Sequence, residues 1–449
     1  MKHPLRFPHY LMLTSVTLIA LVTAIAPELS FAQDDLATQI DRRAAQVESK
    51  VIAWRQDIHQ HPELGNREFR TAELVAAHLK SLGMEVQTGV AHTGVVGLLR
   101  GGQPGPVVAL RADMDALPVT EAVDLPFASK AKGTYEGKEV GVMHACGHDA
   151  HVAILMGVAE VLSGMKAQLP GTVKFIFQPS EEGAPQGEEG GAVLMVKEGV
   201  LENPSPAAIF GLHVGPNEVG KIGYRPGPCM ASADKFRIVV HGRQTHGASP
   251  WKGVDPIVVA AQIILGLQTI ESRQVDVTLE PSVLTIGAIH GGVRFNIIPD
   301  SVEMVGTIRT FDEAMREDIH QRLTRTAELI AQSSQASAQV LIEKLYPVTI
   351  NDEKLTTAML PTLRKVAGEE NVLLRPKKTA AEDCSFYQQK IPGLFFFLGI
   401  TPKGVDVNTA PPNHSPLFHI DESGLVLGVR ALAHLAVDYM QENGGGKAQ

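Results

Sequence analysis

Cysteine is scarce in this chain of 449 residues, which has three, Cys146, Cys229 and Cys384. That excludes a disulfide-built miniprotein, and the odd number leaves at least one thiol unpaired in a monomer. An excess of positive charge is also missing. Lys and Arg number 40 against 49 Asp and Glu, a formal net charge of −9 without a basic run to offset it, and this excludes a nucleic-acid partner on electrostatic grounds. Beyond the first thirty residues no stretch is long and apolar enough to span a bilayer. There is no internal repeat, and no low-complexity block apart from a short polar tail from Glu442. What is present is ordinary for a soluble globular chain: hydrophobic residues are 44% and charged residues 20%, enough for a sizeable core. The 42 Gly and 28 Pro are scattered, which fits a loop-rich α/β enzyme better than a helical bundle. The length suits two or three domains.

The N-terminus reads as a leader. Lys2 and Arg6 precede an apolar stretch over residues 11–26 that Pro27 ends, and Ser30-Phe31-Ala32 forms a small-x-small site for cleavage after Ala32. The stretch is short for a span, which needs about 20 residues; an uncleaved anchor is the alternative. The expectation is an exported protein, most simply periplasmic, with no stable membrane association after cleavage. In an oxidising compartment a leftover thiol is buried, modified or tied to a metal.

Helical spacing runs from about residue 36 to 82, broken at His61-Pro62-Glu63-Leu64-Gly65. Apolar runs at 95–99, 107–110 and 173–177 read as buried strands. Between the last two, Val152, Leu155, Met156, Ala159 and Leu162 predict an amphipathic helix. This alternation predicts an α/β layer with a largely parallel core. Near Gly227-Pro228 the character changes. Strand 235–241, helix 256–270, strands 283–289 and 301–309, helix 312–332 and strand 339–344 follow the β-α-β-β-α-β order of a ferredoxin-like domain. Strand 393–398 and helix 423–440 then return to the first layer. The predicted organisation is α/β with two domains: a leader 1–32, a catalytic domain in segments 33–228 and 346–449, and an inserted α+β domain 229–345.

Reactive side chains are densest in Met143-His144-Ala145-Cys146-Gly147-His148-Asp149-Ala150-His151. A helix starting near Asp149 favours anions, so Cys146 is expected to lose its proton readily. A thiolate and an imidazole two positions apart on a glycine-containing loop can face one metal. A lone cysteine would read as a buried thiol beside capping residues, but four candidate ligands within six residues (His144, Cys146, His148, Asp149) favour metal.

Gln178-Pro179-Ser180-Glu181-Glu182-Gly183 follows a strand end, where open α/β sheets gather functional groups. Of two adjacent acids, one can hold metal while the other serves as general base; Glu188-Glu189 reads as surface. His213 follows the apolar run 208–212, and His414 lies in Asn413-His414-Ser415-Pro416; either alone would pass for a polar loop residue. Counted together, Cys146, His148, Glu182, His213 and His414 give five ligands, which suits two divalent metal ions sharing a bridge. A thiolate suits zinc, while carboxylate and imidazole also accept manganese, cobalt or nickel. Within Arg111-Ala112-Asp113-Met114-Asp115-Ala116-Leu117-Pro118, Asp113 reads as an acceptor that orients a ligating imidazole. Asp115 reads equally well as a turn or capping residue.

Those motifs, RADMDALP, MHACGHDAH, FQPSEEG and NHSPLFHID in this order, resemble the dimetal amidohydrolases of the aminoacylase and carboxypeptidase superfamily. The branch most similar contains hippurate hydrolases and auxin–amino acid conjugate hydrolases, and the likeness runs from about Trp54 to Leu432. The resemblance implies a metallopeptidase-like catalytic domain with the inserted domain as lid or dimerisation domain. It implies that the five ligands bind two metals with Cys146 as bridge, and that Glu181 is the general base. It also implies that His246, in Gly242-Arg243-Gln244-Thr245-His246, polarises the scissile carbonyl, from the partner subunit in dimeric relatives. Asn296 and Arg309 resemble positions that hold the substrate carboxylate. Arg111 stands where other branches carry a His-x-Asp motif, which moves the chain away from the di- and tripeptidases. The expected activity is hydrolysis of N-acyl amino acids. A metallocarboxypeptidase acting on short peptides is the alternative enzyme, and a metal- or peptide-binding protein without turnover is the non-enzymatic one.

Overall fold

The computed structural model describes residues 1, 3–10 and 35–444. It divides into two units, Met1–Asp35 and Leu36–Gln449. The described residues of the first carry no regular secondary structure, and the expected apolar stretch and cleavage point lie outside the described residues.

The second unit is built on two separate sheets. Across the larger, the eight strands run Glu85–Val90, Gly94–Arg100, Pro170–Gln178, Gln103–Asp113, Ala208–Glu218, Gly393–Thr401, Ile222–Tyr224 and Val372–Leu374. The four from Pro170–Gln178 to Gly393–Thr401 are parallel, with Val108 opposite Val173 and Ala208, and Ile209 opposite Gly393. Both faces of this block are covered, so its strands read as continuous apolar runs; Gly393–Thr401 is buried at every position. Antiparallel strands extend it on both sides. Three outer strands escape the hydrophobic pattern. Glu85–Val90 is mostly exposed, and Ile222–Tyr224 and Val372–Leu374 have three residues each.

The helix expected to be amphipathic is His148–Ser163, and it is apolar all round: every residue except Glu160 and Ser163 is buried. It lies against the sheet and is covered in turn by helices Leu36–Gln60 and Leu425–Gly444, so it has no solvent face to mark with polar residues. Gly157 allows the close approach, since a Cβ there would lie 2.7 Å from a Val51 methyl and 3.0 Å from one of Val429.

The smaller sheet is antiparallel, ordered Ser282–Gly291, Ser301–Thr310, Ala233–His241 and Ser337–Tyr346. Helices Pro256–Arg273 and Glu313–Ser333 cover one face over a core that includes Phe236, Ile238, Ile263, Leu267, Met304 and Leu323. Asp255 caps the first helix through the amides of Ile257 and Val258, and Asp312 caps the second through Met315. Buried Asp234 ties strand to helix, accepting from Arg316 and from His320 Nε2 at 2.7 Å. Near the junction with the larger sheet, Ser232 Oγ and Thr310 Oγ1 share a hydrogen bond at 2.8 Å.

Candidate active site

The carboxyl ends of the four parallel strands lie along one edge, and the expected ligands meet there. Glu181 and Glu182 follow Pro170–Gln178, His213 lies in Ala208–Glu218 two residues past its last pair with the neighbour Gln103–Asp113, and His414 is in the loop after Gly393–Thr401. Cys146 and His148 arrive from the start of the buried helix. Gly147 between them has φ 94°, a left-handed conformation that glycine adopts without strain.

Among the described residues, five trios of ligand atoms each lie within 4.8 Å, and two of them use the expected ligands alone: Cys146, His148 and His213, and Cys146, Glu182 and His414. Glu181 belongs to two others, with His148 and Glu182 and with Glu382 and Asp383. The two sets of expected ligands share only Cys146, whose sulfur is 3.4 Å from His213 Nε2. His414 Nε2 is 3.0 Å from Glu182 Oε1. The second nitrogens of two histidines are already engaged. His213 Nδ1 donates to the Val214 carbonyl at 2.6 Å, and His148 Nδ1 donates to Asp115 Oδ1 at 3.1 Å. His148 Nε2 is buried without a hydrogen-bond partner among the described residues. A thiol, three imidazoles and a carboxylate with one buried nitrogen left over form a donor set that fits divalent cations.

Electrostatics differ from the expectation at Cys146. Instead of losing its proton readily, the thiol is held well above its ordinary value, first by burial and then by the carboxylates of Glu182, Glu181 and Asp113. The helix start is outweighed by burial and by these acids, so cations in the site would be needed to favour the thiolate. Burial pulls His148 down, but Asp113, Asp115 and Glu182 overcome it and lift the imidazole to about 10. Glu181 is buried and raised well above an ordinary glutamate, by desolvation and then by Glu382, Glu182 and Asp383. Its Oε2 is 3.9 Å from His148 Nε2, and its backbone carbonyl accepts from the Tyr346 hydroxyl at 2.6 Å.

Asp113 is placed differently from its expected role. Its Oδ1 accepts from His151 Nδ1 at 2.5 Å and its Oδ2 from Arg111, while His148 Nε2 is 3.8 Å away. The carboxylate hydrogen-bonded to His148 is instead that of Asp115, whose other oxygen accepts from the Glu182 amide at 2.9 Å. His151 in turn accepts from the Val214 amide through Nε2 at 2.9 Å, so Asp113 steadies His213 through the backbone. Sequence reasoning also passed over Glu68, which holds the Ser180 amide at 2.9 Å, and Asn413, which donates to the carbonyls of Cys146 and Val214. A polar residue beside a ligand in the sequence was the one signal available for Asn413.

A cleft with a cavity volume of about 790 Å³ opens over these groups, lined by Glu181, Glu182, His213, Arg309, Tyr346 and Lys378 among others. Glu188 and Glu189, read as surface, are at its rim, paired with Arg67 and Lys197. Arg309 reaches the cleft from the smaller sheet. His246 and Asn296 do not line it. They adjoin each other on a ribbon pairing Thr245–His246 with Ile297–Ile298, where His246 is exposed and the Gly247 amide donates to the Asn296 carbonyl.

Residues 109–438 match the family model described as Peptidase family M20/M25/M40. The chain belongs to this family. A similar relative is Thermostable carboxypeptidase 2 of Saccharolobus solfataricus, 40% identical over 90% of this chain and 99% of its own length. IAA-amino acid hydrolase ILR1-like 4 of Arabidopsis thaliana is 39% identical, over 87% of this chain and 86% of its own. Among solved structures, a dinuclear metal binding peptidase from the M20 family of Bacillus subtilis superposes with a TM-score of 0.74 at 36% identity, covering 88% of this chain and 99% of that one. This M20 protein is therefore a metal-dependent hydrolase of the amidohydrolase and carboxypeptidase type, with the mixed α/β fold of its family.

Proposed function

We propose that this M20 hydrolase cleaves the amide bond of N-acyl amino acids, with two divalent cations, zinc or manganese, held by Cys146, His148, Glu182, His213 and His414. The observation that carries the reading is the pair of three-ligand sets that share Cys146 and between them use all five expected ligands, with Glu181 buried beside His148 and Glu182. Cations in the two sets supply positive charge that polarises an amide carbonyl and acidifies a water. Glu181 takes the proton of the attacking water at its carboxylate and delivers it to the leaving amine. The Asp383 amide, 3.4 Å from Glu181 Oε1, holds that side chain, and the Tyr346 hydroxyl holds the Glu181 backbone carbonyl. Arg309 pairs with the free carboxylate of the substrate from the cleft wall.

His246 and Asn296 belong in this reading to the site of a second subunit. They are outside the cleft of their own chain, and the exposed apolar side chains Trp251, Val293 and Phe295 lie close to them in the sequence, the last two 95% exposed. A homodimer that buries this surface would bring His246 to the scissile carbonyl and Asn296 to the carboxylate. The likeness to a carboxypeptidase favours short peptides as a second reading, with the same chemistry and a different acyl side.

The test is turnover of hippurate, N-acetylmethionine, an indoleacetyl amino acid and several dipeptides with added zinc or manganese, by wild type and Glu181→Gln. Hydrolysis of N-acyl amino acids should fall by about 100-fold or more in the variant, with metal content unchanged. Turnover confined to dipeptides would establish the carboxypeptidase reading instead.

A further inference from the structure

Two cations on the cleft wall are uncompensated. Lys344 pairs with Glu317, but neither Arg309 nor Lys378 has an ion pair or side-chain hydrogen bond among the described residues. Lys378 is the less expected of the two, because its ammonium is half-buried. The side chain lies over the Phe397 ring, with Nζ 4.2 Å from the centroid. Nζ is 3.9 Å from where a Cβ on Gly215 would be, two residues after His213, and Asn413 Oδ1 is 3.6 Å from the same point. Its backbone is fixed on both sides: the Lys378 amide donates to the Cys229 carbonyl, and its carbonyl accepts from the Ala231 amide. Burial, and then the nearby Arg375 charge, draw the ammonium down to about 8. A carboxylate placed against it would relieve that cost and satisfy its donors.

Resting on the N-acyl amino acid reading, we propose that Lys378 is a specificity-determining residue that binds a second carboxylate of the substrate, so that the cleft prefers dianionic N-acyl amino acids. Arg309 takes the α-carboxylate, and Lys378 takes an anion on the opposite part of the molecule from the one Arg309 holds or on the amino-acid side chain. Both sources present the same chemistry, a carboxylate within reach of an ammonium beside the metal ligands. Gly215 and Phe397 leave room for it, since glycine adds no side chain next to Nζ and the ring supports the methylene stem.

The experiment reads binding, with the metal-loaded protein and non-hydrolysable analogues in which a methylene replaces the scissile NH. Four are compared by calorimetry: those of N-acetylglutamate, N-acetylglutamine, N-succinylglycine and N-acetylglycine. The first and third are dianions with the second carboxylate on the side chain or on the acyl group. At least one should bind about tenfold tighter than its monoanionic counterpart. Lys378→Met, which keeps the apolar contact with Phe397, should erase that preference while leaving the monoanionic analogues within about twofold. Lys378→Arg should retain it, which guards against a folding defect in the methionine variant. Dianions that bind no tighter than their monoanionic partners in wild type, or a preference that survives in Lys378→Met, would overturn the role of Lys378 and leave the N-acyl amino acid reading standing. Binding of none of the four would overturn both. Because hydrolysis is not measured, an error in the role of Glu181 does not enter.

Discussion

Asp115 illustrates what single residues contribute to this site. One carboxylate holds the Nδ1 of His148 and the amide of Glu182, two expected ligands from segments far apart in sequence. Replacing it by alanine frees both, and metal affinity should fall by about 10–100-fold in chelator competition. An unaltered affinity would mean that Asp115 only shapes the turn. Asp113 and Asp115 are indistinguishable in the sequence, both aspartates at the end of an apolar run, two positions apart and therefore on the same side of an extended chain. Which of them meets His148 depends on how far the strand continues before it turns. The strand ends at Asp113, and that decided the matter.

Among the elements, the buried helix His148–Ser163 and the smaller sheet carry separate predictions. Gly157 is in a helix interior, where alanine ordinarily gains about 1 kcal/mol, but the methyls of Val51 and Val429 occupy the space a larger side chain needs. Gly157→Leu should destabilise by about 1–3 kcal/mol in denaturant titration. In the smaller sheet, Asp234→Asn removes the anion that Arg316 and His320 share. The expected cost is about 3 kcal/mol, at the low end for a buried pair because Glu313 still faces Arg316. Burial raises the Asp234 carboxyl, and the hydrogen bonds from His320 and Arg316 more than reverse that, so it titrates below an ordinary aspartate. Its contribution is then complete above about pH 4 and is lost as pH falls through the folded value. The gap between wild type and variant should therefore hold at pH 5 and above, on the order of that cost, and close in more acidic solution.

At the scale of the whole molecule, the question is whether one chain completes its own site. If His246 serves a second subunit, Glu181→Gln and His246→Ala proteins that are each inactive should regain activity when mixed and allowed to exchange subunits. Random pairing leaves roughly a quarter of the sites with an intact Glu181 and an intact His246 from the other chain. No recovery, with exchange verified by labelled subunits, would return His246 to its own chain or remove it from the reaction.

The sequence by itself determined the α/β and ferredoxin-like layers, because hydrophobic period and turn residues are local properties that need no knowledge of neighbours. It also singled out five candidate ligands that the fold brings together, since metals demand a few residue types and those types gather at strand ends and at a helix start. It did not reveal the outer strands, which are short or exposed, or the burial of the central helix, which depends on two other helices covering it. The tertiary structure alone decided that Asp115 rather than Asp113 meets His148, and that the Cys146 thiol is raised. Each of these turns on distances between residues that are remote in sequence, and on the loss of water around them, and neither is written in the order of the chain.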